Sequence, residues 1–469
     1  MIRHQAFLLD QFAPIAVYEK LKGLFPGEVT FLFESADGSG GNFSIILLGA
    51  RERLQYQNGI TRHTDASGAV HELDRSPFAF LKSYYAKIDP TPYKEACREL
   101  GVGYVDGFIG NIGYDMVKVF EPVLSPFMDG LEDTMHIPDL DLILPKMVVV
   151  YSHKEHRITL ITASETMAER FDAVEGALKS SYDYTPLKLM EDDRGGEFAF
   201  SKEKFFQMVE DSKEMIRSGD VFQILMTNRY THHAKVDPFS FYRILRTKNP
   251  SPYMFLMEFE TFSIVGSSPE VMVRLKDGEL LLRPIAGTRK RGATRERDLE
   301  LEAELLADPK ERAEHLMLID LGRNDVGRVA KPGTVKVHDM MHIERYSHVM
   351  HIVSDVVAEL RDDKDMFDLF ASCFTAGTMT GAPKIRAMEL IAEFEGLKRG
   401  FYSGSIGYFG FDGNMDSAIT IRTALVDKER VILQAGAGVV ADSVPDLEYL
   451  EVQNKLGALT STLEDLKAK

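Results

Sequence analysis

The amino-acid sequence predicts an α+β protein, a large mixed body of mainly antiparallel sheets packed with helices. Strand-like apolar runs such as residues 146–151 and 157–161 alternate with stretches in which apolar residues recur at helical spacing. The chain has 469 residues, which is enough to bury a large core, and it contains no heptads, internal repeats or low-complexity segments. The sequence therefore argues against a small binding module.

Charge and cysteine content restrict the partners and the compartment. The formal net charge of −17 would repel nucleic acid and anionic membrane surfaces. Because the N-terminus lacks a signal-peptide core and no apolar run approaches the roughly 20 residues that span a bilayer, we predict a cytoplasmic protein. The two cysteines, Cys97 and Cys373, lie outside any metal-type spacing, so neither a disulfide framework nor a zinc site is expected, and Cys373 is interpreted as a core residue.

A polar stretch with paired glycines at residues 190–197 is the clearest break in the chain. It predicts an N-terminal region at 1–190 and a catalytic domain at 198–469. After the break, Ser201 can cap a helix that Gly219 ends. An apolar strand-like run at 221–226 follows and carries Gln223.

Two distant segments each carry glutamates three residues apart, Glu311 with Glu314 and Glu448 with Glu451. Residues at this spacing share one helix face. If the two faces met, four negative charges would gather, and a hard divalent cation would relieve their repulsion. Because all the ligands are oxygens, magnesium is the favoured metal.

A structural interpretation of the same residues stays open. Asp308 followed by proline, and Pro445, both predict helix starts. Glu311 can then be the capping-box partner of Asp308, and Glu451 with Lys455 can be an ordinary surface pair at i,i+4 spacing.

Two glycine-containing segments could hold an anion. Residues 375–384, which include Thr378, lead into a helical pattern from residue 385, and the free N–H groups of such a helix start can bind a carboxylate or phosphate. The segment 434–440, which contains Gly436 and Gly438, lacks the spacing of a dinucleotide fingerprint. Each segment can equally be a tight turn or strand bend that needs glycine.

Three further side chains are candidates for chemistry. Arg422 lies in an apolar, strand-like run, where its charge needs either an anionic ligand or a structural salt bridge. His351 has apolar neighbours and can be a hydrogen-bonded core histidine. Glu270 follows a turn; a partly buried glutamate there could serve as a general acid, although most such residues are solvated.

Six segments together resemble the chorismate-utilising enzymes, in sequence and in order. The resemblance is dense from about Phe198 to the C-terminus and thinner before it. The segments are Gly-Ser-Ser-Pro-Glu, Pro-Ile-Ala-Gly-Thr, Asp-Leu-Gly-Arg-Asn-Asp, Gly-Thr-Met-Thr-Gly-Ala-Pro-Lys, Ala-Gly-Ala-Gly-Val-Val and the last Glu-x-x-Glu.

The resemblance implies that Glu314 and Glu451 ligate Mg²⁺ directly, with Glu311 and Glu448 supporting it through waters. Glu270 is implied to protonate the departing C4 hydroxyl of chorismate, and His351 to assist loss of pyruvate. Tyr402 and Arg422 are implied to hold the enolpyruvyl carboxylate, and the metal with the loop of Thr378 and Gly438 to hold the ring carboxylate. The residues implied to contact substrate are Gly287, Thr288, Thr378, Tyr402, Arg422, Gly436 and Gly438.

Two positions favour the anthranilate synthases within this family. Members that add water carry a lysine base where this chain has Gln223, and aminodeoxychorismate synthases commonly carry a lysine nucleophile where it has Ala286. The expected reaction therefore joins ammonia to chorismate and releases anthranilate and pyruvate. An aminodeoxychorismate synthase component or another chorismate-aminating enzyme remains the alternative.

The resemblance also implies partners and regulation. Ammonia is expected from a glutamine amidotransferase subunit, component II, in a heterotetramer of two of each subunit. Residues 31–36 and 249–255 resemble the two halves of a tryptophan feedback site, although Phe33 replaces the usual leucine and a simple proline-rich turn is the structural alternative. The expected inhibitor contacts are Glu34, Ser35, Pro252, Tyr253 and Met254. A catalytically inactive ligand sensor is disfavoured, because every matched catalytic position carries a competent residue.

Overall fold

Antiparallel strand pairing dominates the fold, which confirms the predicted class. The computed structural model describes residues 2–35, 43–346 and 349–467. The strands of these ranges are β1 (Arg3–Leu8), β2 (Thr30–Glu34), β3 (Phe43–Gln57), β4 (Ile60–Thr64), β5 (Val70–Leu73), β6 (Gly107–Ile112), β7 (Leu140–Ser152), β8 (Arg157–Thr162), β9 (Gly196–Phe198), β10 (Gln223–His233), β11 (Tyr253–Glu258), β12 (Phe262–Ser268), β13 (Val271–Lys276), β14 (Glu279–Leu282), β15 (Ile285–Lys290), β16 (Lys336–Arg345), β17 (Val349–Glu359), β18 (Gly381–Ala382), β19 (Ser405–Gly410), β20 (Met415–Ile419), β21 (Thr423–Asp427) and β22 (Arg430–Val439).

Two series of paired strands meet at the long strands β3 and β7, which pair with each other. One series continues through β2, β11, β12, β21 and β22 to β10. The other runs from β7 through β6, β19, β20, β13 and β14 to β17. Strands from both sides of residues 190–197 therefore pair within the same sheets, and the proposed boundary between two domains stays a prediction.

Helices cover the outer faces of these sheets. They are α1 (Pro14–Leu24), α2 (Pro77–Tyr85), α3 (Thr91–Leu100), α4 (Val117–Phe120), α5 (Ser125–Met128), α6 (Glu165–Ala168), α7 (Phe171–Lys179), α8 (Lys202–Arg217), α9 (Pro238–Lys248), α10 (Arg295–Ala307), α11 (Pro309–Gly327), α12 (Met366–Cys373), α13 (Lys384–Glu395) and α14 (Pro445–Asp465), with short 3₁₀ turns at Tyr114–Met116, Pro122–Leu124 and Gly377–Met379. Within the described residues, no helix is long and apolar enough to cross a membrane.

The predicted helix starts are confirmed. The Ser201 hydroxyl accepts the Lys204 N–H at the start of α8, and the Asp308 carboxylate accepts two N–H groups of the first turn of α11. Helix α14 begins at Pro445. The Asp308 cap and the first-turn proline Pro445 thus define the starts of the two helices that carry the glutamate pairs.

Apolar side chains form two large clusters, and each draws on both halves of the chain. One includes Phe31, Leu142 and Phe370, and the other includes Tyr18 and Leu463. Cys373 is buried in the first cluster, as predicted. This shared core holds the strand ends of the site in a fixed arrangement.

The strand predicted to carry Gln223 is present, but it runs from Gln223 to His233 rather than over 221–226. One local prediction is wrong. Arg422 lies between β20 and β21 rather than in a strand, since its φ of 52° is incompatible with a β ladder.

Candidate active site

Glu270 is a buried acid between β12 and β13, with 9% of its surface exposed. Burial raises its pKa to about 7. The Thr378 hydroxyl donates a hydrogen bond to its Oε1 at 2.9 Å, and this bond and the charges of Lys455 and Arg422 partly offset the rise in pKa. A carboxylic acid that keeps its proton near neutral pH can serve as a general acid.

The turn that carries Thr378 lies against strand β10. It leads into β18, which pairs with the first two residues of β10. A Cβ added at Gly377 would stand 1.8 Å from a Leu321 methyl, and one added at Gly381 would stand 2.2 Å from the Gln223 carbonyl. Glycine is therefore needed for this close approach, and the approach aims Thr378 at Glu270.

Strand β22 lies on the other side of β10 and brings in Gly436 and Gly438. A Cβ at Gly438 would be 2.7 Å from Nε2 of Gln223, so glycine leaves room for that amide. The Gln223 amide also lies near Glu314 and lowers the pKa of that carboxyl, against the effect of burial. The amide is thus held between the glycine-rich strand and the first glutamate pair.

Arg422 is a cation without a protein counter-ion at bonding distance. Across the described ranges, no hydrogen bond or ion pair engages its guanidinium. Burial lowers its pKa, whereas Tyr402, Glu451 and Glu270 raise it. Of the two alternatives for Arg422, the structural salt bridge is absent, and a guanidinium in this setting can accept a bidentate anion.

Tyr402 lies beside Arg422 and supplies a neutral donor. Burial raises its pKa to about 12, against the opposing effects of the Arg399 and Arg422 charges and the nearby Gly436 backbone. Its hydroxyl therefore keeps its proton at neutral pH. An arginine with a tyrosine hydroxyl suits a carboxylate.

His351 is oriented by the backbone of β15. Its Nδ1 lies 2.9 Å from the Gly287 carbonyl oxygen, and the Thr288 hydroxyl lies 3.2 Å from the same nitrogen. Gly287 occupies a bulge with φ of 65°. Because a carbonyl only accepts, Nδ1 carries the proton and Nε2 keeps its lone pair. Burial lowers the pKa of His351, which favours this neutral form.

The four paired glutamates are close enough to influence one another. Burial is the main cause of the raised pKa of Glu314, followed by the charges of Glu311 and Glu451. Burial likewise raises the pKa of Glu448, with a contribution from Glu451. Among residues 2–35, 43–346 and 349–467, no group of three or more His, Cys, Asp or Glu side chains is arranged to hold a metal. The donor chemistry, repelling carboxylates alone, fits a hard divalent cation.

Protein cations hold two of these glutamates. Arg289 pairs with Glu311 at 3.0 Å and with Asp308 at 3.0 Å, so the Glu311 side chain faces Arg289 and the reciprocal half of the capping box does not form. Lys455 pairs with Glu451 at 2.6 Å.

Lys455 is a site residue that the sequence did not reveal. Its ammonium donates a hydrogen bond to the Gly436 carbonyl at 2.9 Å, and its charge lowers the pKa of Glu270. An i,i+4 pair is typical of any solvated helix face. The only available signal was its position one turn beyond Glu451, on the face of the predicted ligands.

A separate cavity of about 550 Å³ lies on the opposite side of the Glu270 segment. Strand β2 pairs with β11 there, with Met254 opposite Glu34. Ala36, the last residue of the first predicted segment, lies outside the described residues. All five predicted inhibitor contacts line this cavity, namely Glu34, Ser35, Pro252, Tyr253 and Met254.

Polar contacts hold the walls of this cavity. The buried Glu34 carboxylate accepts hydrogen bonds from Arg246 at 2.8 Å and from the Tyr242 hydroxyl at 2.6 Å. Across the cavity, the Tyr253 hydroxyl donates to Asp416 at 2.9 Å. One residue of each predicted segment, Glu34 and Tyr253, is therefore held by hydrogen bonds at the cavity.

The cavity and Glu270 share one short segment. Pro269 and Val271 line the cavity, whereas Glu270 between them bonds to Thr378. Tyr253 pairs with Ser268 at the end of β12. A ligand in the cavity would thus contact the segment that positions Glu270.

Comparison with known proteins assigns the family. The family described as chorismate binding enzyme matches residues 28–461. The chain belongs to the chorismate-binding enzymes. The resemblance seen in the sequence motifs is thereby confirmed, and it extends well into the N-terminal region.

Several relatives of this chorismate-binding enzyme carry one name, anthranilate synthase component 1. That of Aquifex aeolicus is 41% identical over 97% of this chain and 93% of the relative, and that of Acinetobacter calcoaceticus is 43% identical over 97% and 94%. The crystal structure of anthranilate synthase component I from Streptococcus pneumoniae matches with a TM-score of 0.76 and 32% identity, over 97% of this chain and 99% of that one. The menaquinone-specific isochorismate synthase of Escherichia coli shares the fold, with a TM-score of 0.72 and 21% identity over 99% and 95%.

Proposed function

We propose that this chorismate-binding enzyme is the chorismate-converting component of an anthranilate synthase, in which ammonia and chorismate give anthranilate, pyruvate and water. The observation that carries the proposal is the side chain of Gln223, a neutral amide at the start of β10 that lies near enough to Glu314 to lower the pKa of that carboxyl. An amide cannot deprotonate water, whereas ammonia attacks without a base. The anthranilate synthase relatives over 97% of the chain support the same reaction.

Chorismate carries two carboxylates, and the site offers a match for each. Arg422 and Tyr402 bind the enolpyruvyl carboxylate through a bidentate guanidinium and a phenolic donor. The ring carboxylate of chorismate is proposed to lie by Thr378 and Gly438. Strand β10 pairs with β18, which follows the Thr378 turn, and with β22, which carries Gly438, so the two residues flank the same strand. The remaining proposed contacts with chorismate are made by Gly287, Thr288 and Gly436.

Mg²⁺ is the proposed cofactor, held directly by Glu314 and Glu451 and through waters by Glu311 and Glu448. When bound, the ion supplies positive charge that balances the ring carboxylate and the clustered glutamates. Lys455, paired with Glu451, keeps that glutamate directed toward the site.

Glu270 and His351 divide the chemistry. Glu270, protonated because of its burial, gives its proton to the C4 hydroxyl, which leaves as water while ammonia bonds to C2. The added nitrogen loses its extra proton to solvent. Neutral His351 then accepts the C2 proton at Nε2 as the C3–O bond breaks and the ring becomes aromatic, and the released enolpyruvate takes up a proton at its methylene carbon to become pyruvate. Nδ1 keeps its bond to the Gly287 carbonyl throughout, which fixes the orientation of the imidazole.

The function is tested by product analysis of the purified chain with chorismate, Mg²⁺ and ammonium. Anthranilate and pyruvate should form in equal amounts, and glutamine should support turnover only when an amidotransferase subunit is added. Neither cysteine lies in a glycine-rich nucleophile turn, and we therefore expect the chain alone not to use glutamine. An aminated chorismate as the only product would instead indicate the aminodeoxychorismate branch, and efficient use of glutamine by the chain alone would overturn the partner proposal. The complete enzyme is proposed to contain two copies of each subunit.

We also propose that the 550 Å³ cavity binds L-tryptophan as a feedback inhibitor. Its position beside Pro269 and Val271 would allow a bound ligand to favour a state that holds chorismate poorly. Coupling is reciprocal, so saturating chorismate should weaken tryptophan binding by the factor with which tryptophan weakens chorismate binding.

Replacing Ser35 with phenylalanine should abolish inhibition and leave kcat unchanged, because the added ring fills the cavity without replacing a residue of the Glu270 segment. The protein contains no tryptophan, so the fluorescence of added tryptophan reports binding directly. The exposed turn residue Ser67 offers a matched control, since Ser67→Phe should leave inhibition intact. Normal inhibition of Ser35→Phe would exclude this cavity as the inhibitor site.

A further inference from the structure

A buried ion pair lies directly behind the candidate active site. Arg399 is only 1% exposed, and its guanidinium donates to Glu395 through Nε at 2.9 Å and Nη2 at 2.7 Å. The same guanidinium also donates to two backbone carbonyls, Met379 through Nη1 at 2.8 Å and Leu225 through Nη2 at 2.9 Å. One side chain therefore links a helix end, a turn and a strand.

Glu395 is itself fully engaged. Its Oε1 accepts the backbone N–H of Thr227 at 3.0 Å and the Thr227 hydroxyl at 2.9 Å. The Arg399 guanidinium also lies over the Tyr114 ring, 4.9 Å from its centroid. These contacts orient both members of the pair in a single geometry.

The linked segments are those that carry site residues. Met379 directly follows Thr378, and Leu225 lies two residues after Gln223 on β10. The Arg399 carbonyl also accepts the N–H of Tyr402. Within the described part of the chain, no side-chain hydrogen bond joins the pair to a residue that would touch chorismate, and the Arg399 charge reaches one of them, Tyr402, by lowering the pKa of its hydroxyl.

We propose that Arg399, held by Glu395, is a positioning residue that fixes the Thr378 turn against the Gln223 strand and so holds Thr378 in register with Glu270. The proposal rests on the proposed function. Arg399 acts through the two carbonyls that it bridges, and the turn transmits its position to the Thr378 hydroxyl.

Stability alone does not explain this arrangement. Two charges removed from water lose their hydration, and a buried ion pair can often be replaced by apolar groups at no cost in stability. A lysine would keep the charge, but its single ammonium cannot bond to a carboxylate and two separated carbonyls at once, as the planar guanidinium does. The site therefore requires the planar guanidinium of arginine, with its several N–H donors, and not only a positive charge.

The first test is Arg399→Lys, measured with chorismate, Mg²⁺ and ammonium. We expect kcat to fall by about 10- to 100-fold, the usual effect of removing a supporting contact, with a smaller change in KM. Arg53→Lys is the matched control, because Arg53 forms a comparable two-bond pair with buried Asp141 far from the site; its kcat should stay unchanged.

The second test removes both charges with Arg399→Met and Glu395→Gln together, which leaves no unpaired buried charge. We expect a melting temperature near that of the wild type and a kcat as low as that of Arg399→Lys. A folded double variant with normal kcat would overturn the proposal. Unfolding of both the double variant and Arg399→Lys would also overturn it, because the pair would then serve the fold rather than the site.

The third test is a double-mutant cycle with Thr378→Val. If Arg399 acts through Thr378, the combined variant should lose no more kcat than the worse single variant, and independent, multiplying losses would contradict this route. A wild-type protein that does not convert chorismate would instead contradict the proposed function itself. An active wild type with additive variants would contradict only the role of Arg399.

Discussion

Replacing Glu270 with glutamine should lower kcat by about 10²- to 10⁴-fold, the range supplied by a positioned general acid. Glutamine keeps the shape of the side chain and can still accept the Thr378 hydroxyl, but it has no proton to give to the C4 oxygen. Chorismate binding should change little, so the loss should appear in kcat rather than KM. Activity within a few-fold of the wild type would assign the proton donation to another group.

The pH dependence of the wild type gives a second measure of the same group. Burial raises the pKa of Glu270 to about 7, and the protonated form is the active acid. Measured at a fixed concentration of free ammonia, kcat should decline as the pH rises through about 7. A constant kcat from pH 6 to pH 9 would contradict the proposed acid.

The raised pKa of Glu270 should also make the free energy of unfolding depend on pH. The pKa of Glu270 stands near 7 in the folded protein against an ordinary value of 4.5, so the folded state holds this proton more tightly than the unfolded chain. The resulting stabilisation is complete below the ordinary pKa and is lost as the pH rises through about 7. Relative to Glu270→Gln, the wild type should lose on the order of 3 kcal/mol in free energy of unfolding between pH 4 and pH 9, measured by urea titration with a chelator present.

Replacing either Glu314 or Glu451 with glutamine should abolish turnover at ordinary Mg²⁺ concentrations. Each change removes one carboxylate ligand and one negative charge that balances the cation. A chelator should likewise abolish the activity of the wild type, and added Mg²⁺ should restore it. Calorimetric titration with Mg²⁺ alone should show weaker binding to both variants than to the wild type.

Glu464→Gln is the matched control for these two variants. Glu464 lies on the same helix, α14, where it pairs with Lys467 at the surface. Its replacement should leave both activity and Mg²⁺ binding unchanged. Near-normal activity and Mg²⁺ dependence in Glu314→Gln and Glu451→Gln would mean that the two glutamate helices are structural.

Local signals in the sequence were sufficient for the helices that carry the site. A cap residue and a first-turn proline act on adjacent residues, so Asp308 and Pro445 identify the starts of α11 and α14 without knowledge of the fold. The α+β class followed from alternating periodicities. The meeting of the two glutamate faces, in contrast, depends on long-range packing and entered only through the family resemblance.

The features that were predicted wrongly or missed from the sequence share one physical cause. The positive φ of Arg422 is imposed by the crossing from β20 to β21, and no neighbouring residue type announces it. Glu395 and Arg399 stand in a charged stretch that is typical of a solvated helix end, yet tertiary packing buries both. Lys455 has the spacing of a surface pair. Burial of charge is set by distant segments, and local pattern cannot report it.

The tripeptide Pro269–Glu270–Val271 has an evolutionary consequence, because two of its residues line the cavity while the third is the proposed catalytic acid. A mutation at Pro269 or Val271 that alters ligand preference would also disturb Glu270, and selection would remove it. Ser35 lines the cavity but lies outside this tripeptide, so a mutation there would not displace Glu270 directly. A lineage adapting to a different inhibitor would therefore diverge first along β2 and the residues that follow it, while the Glu270 segment stayed constant.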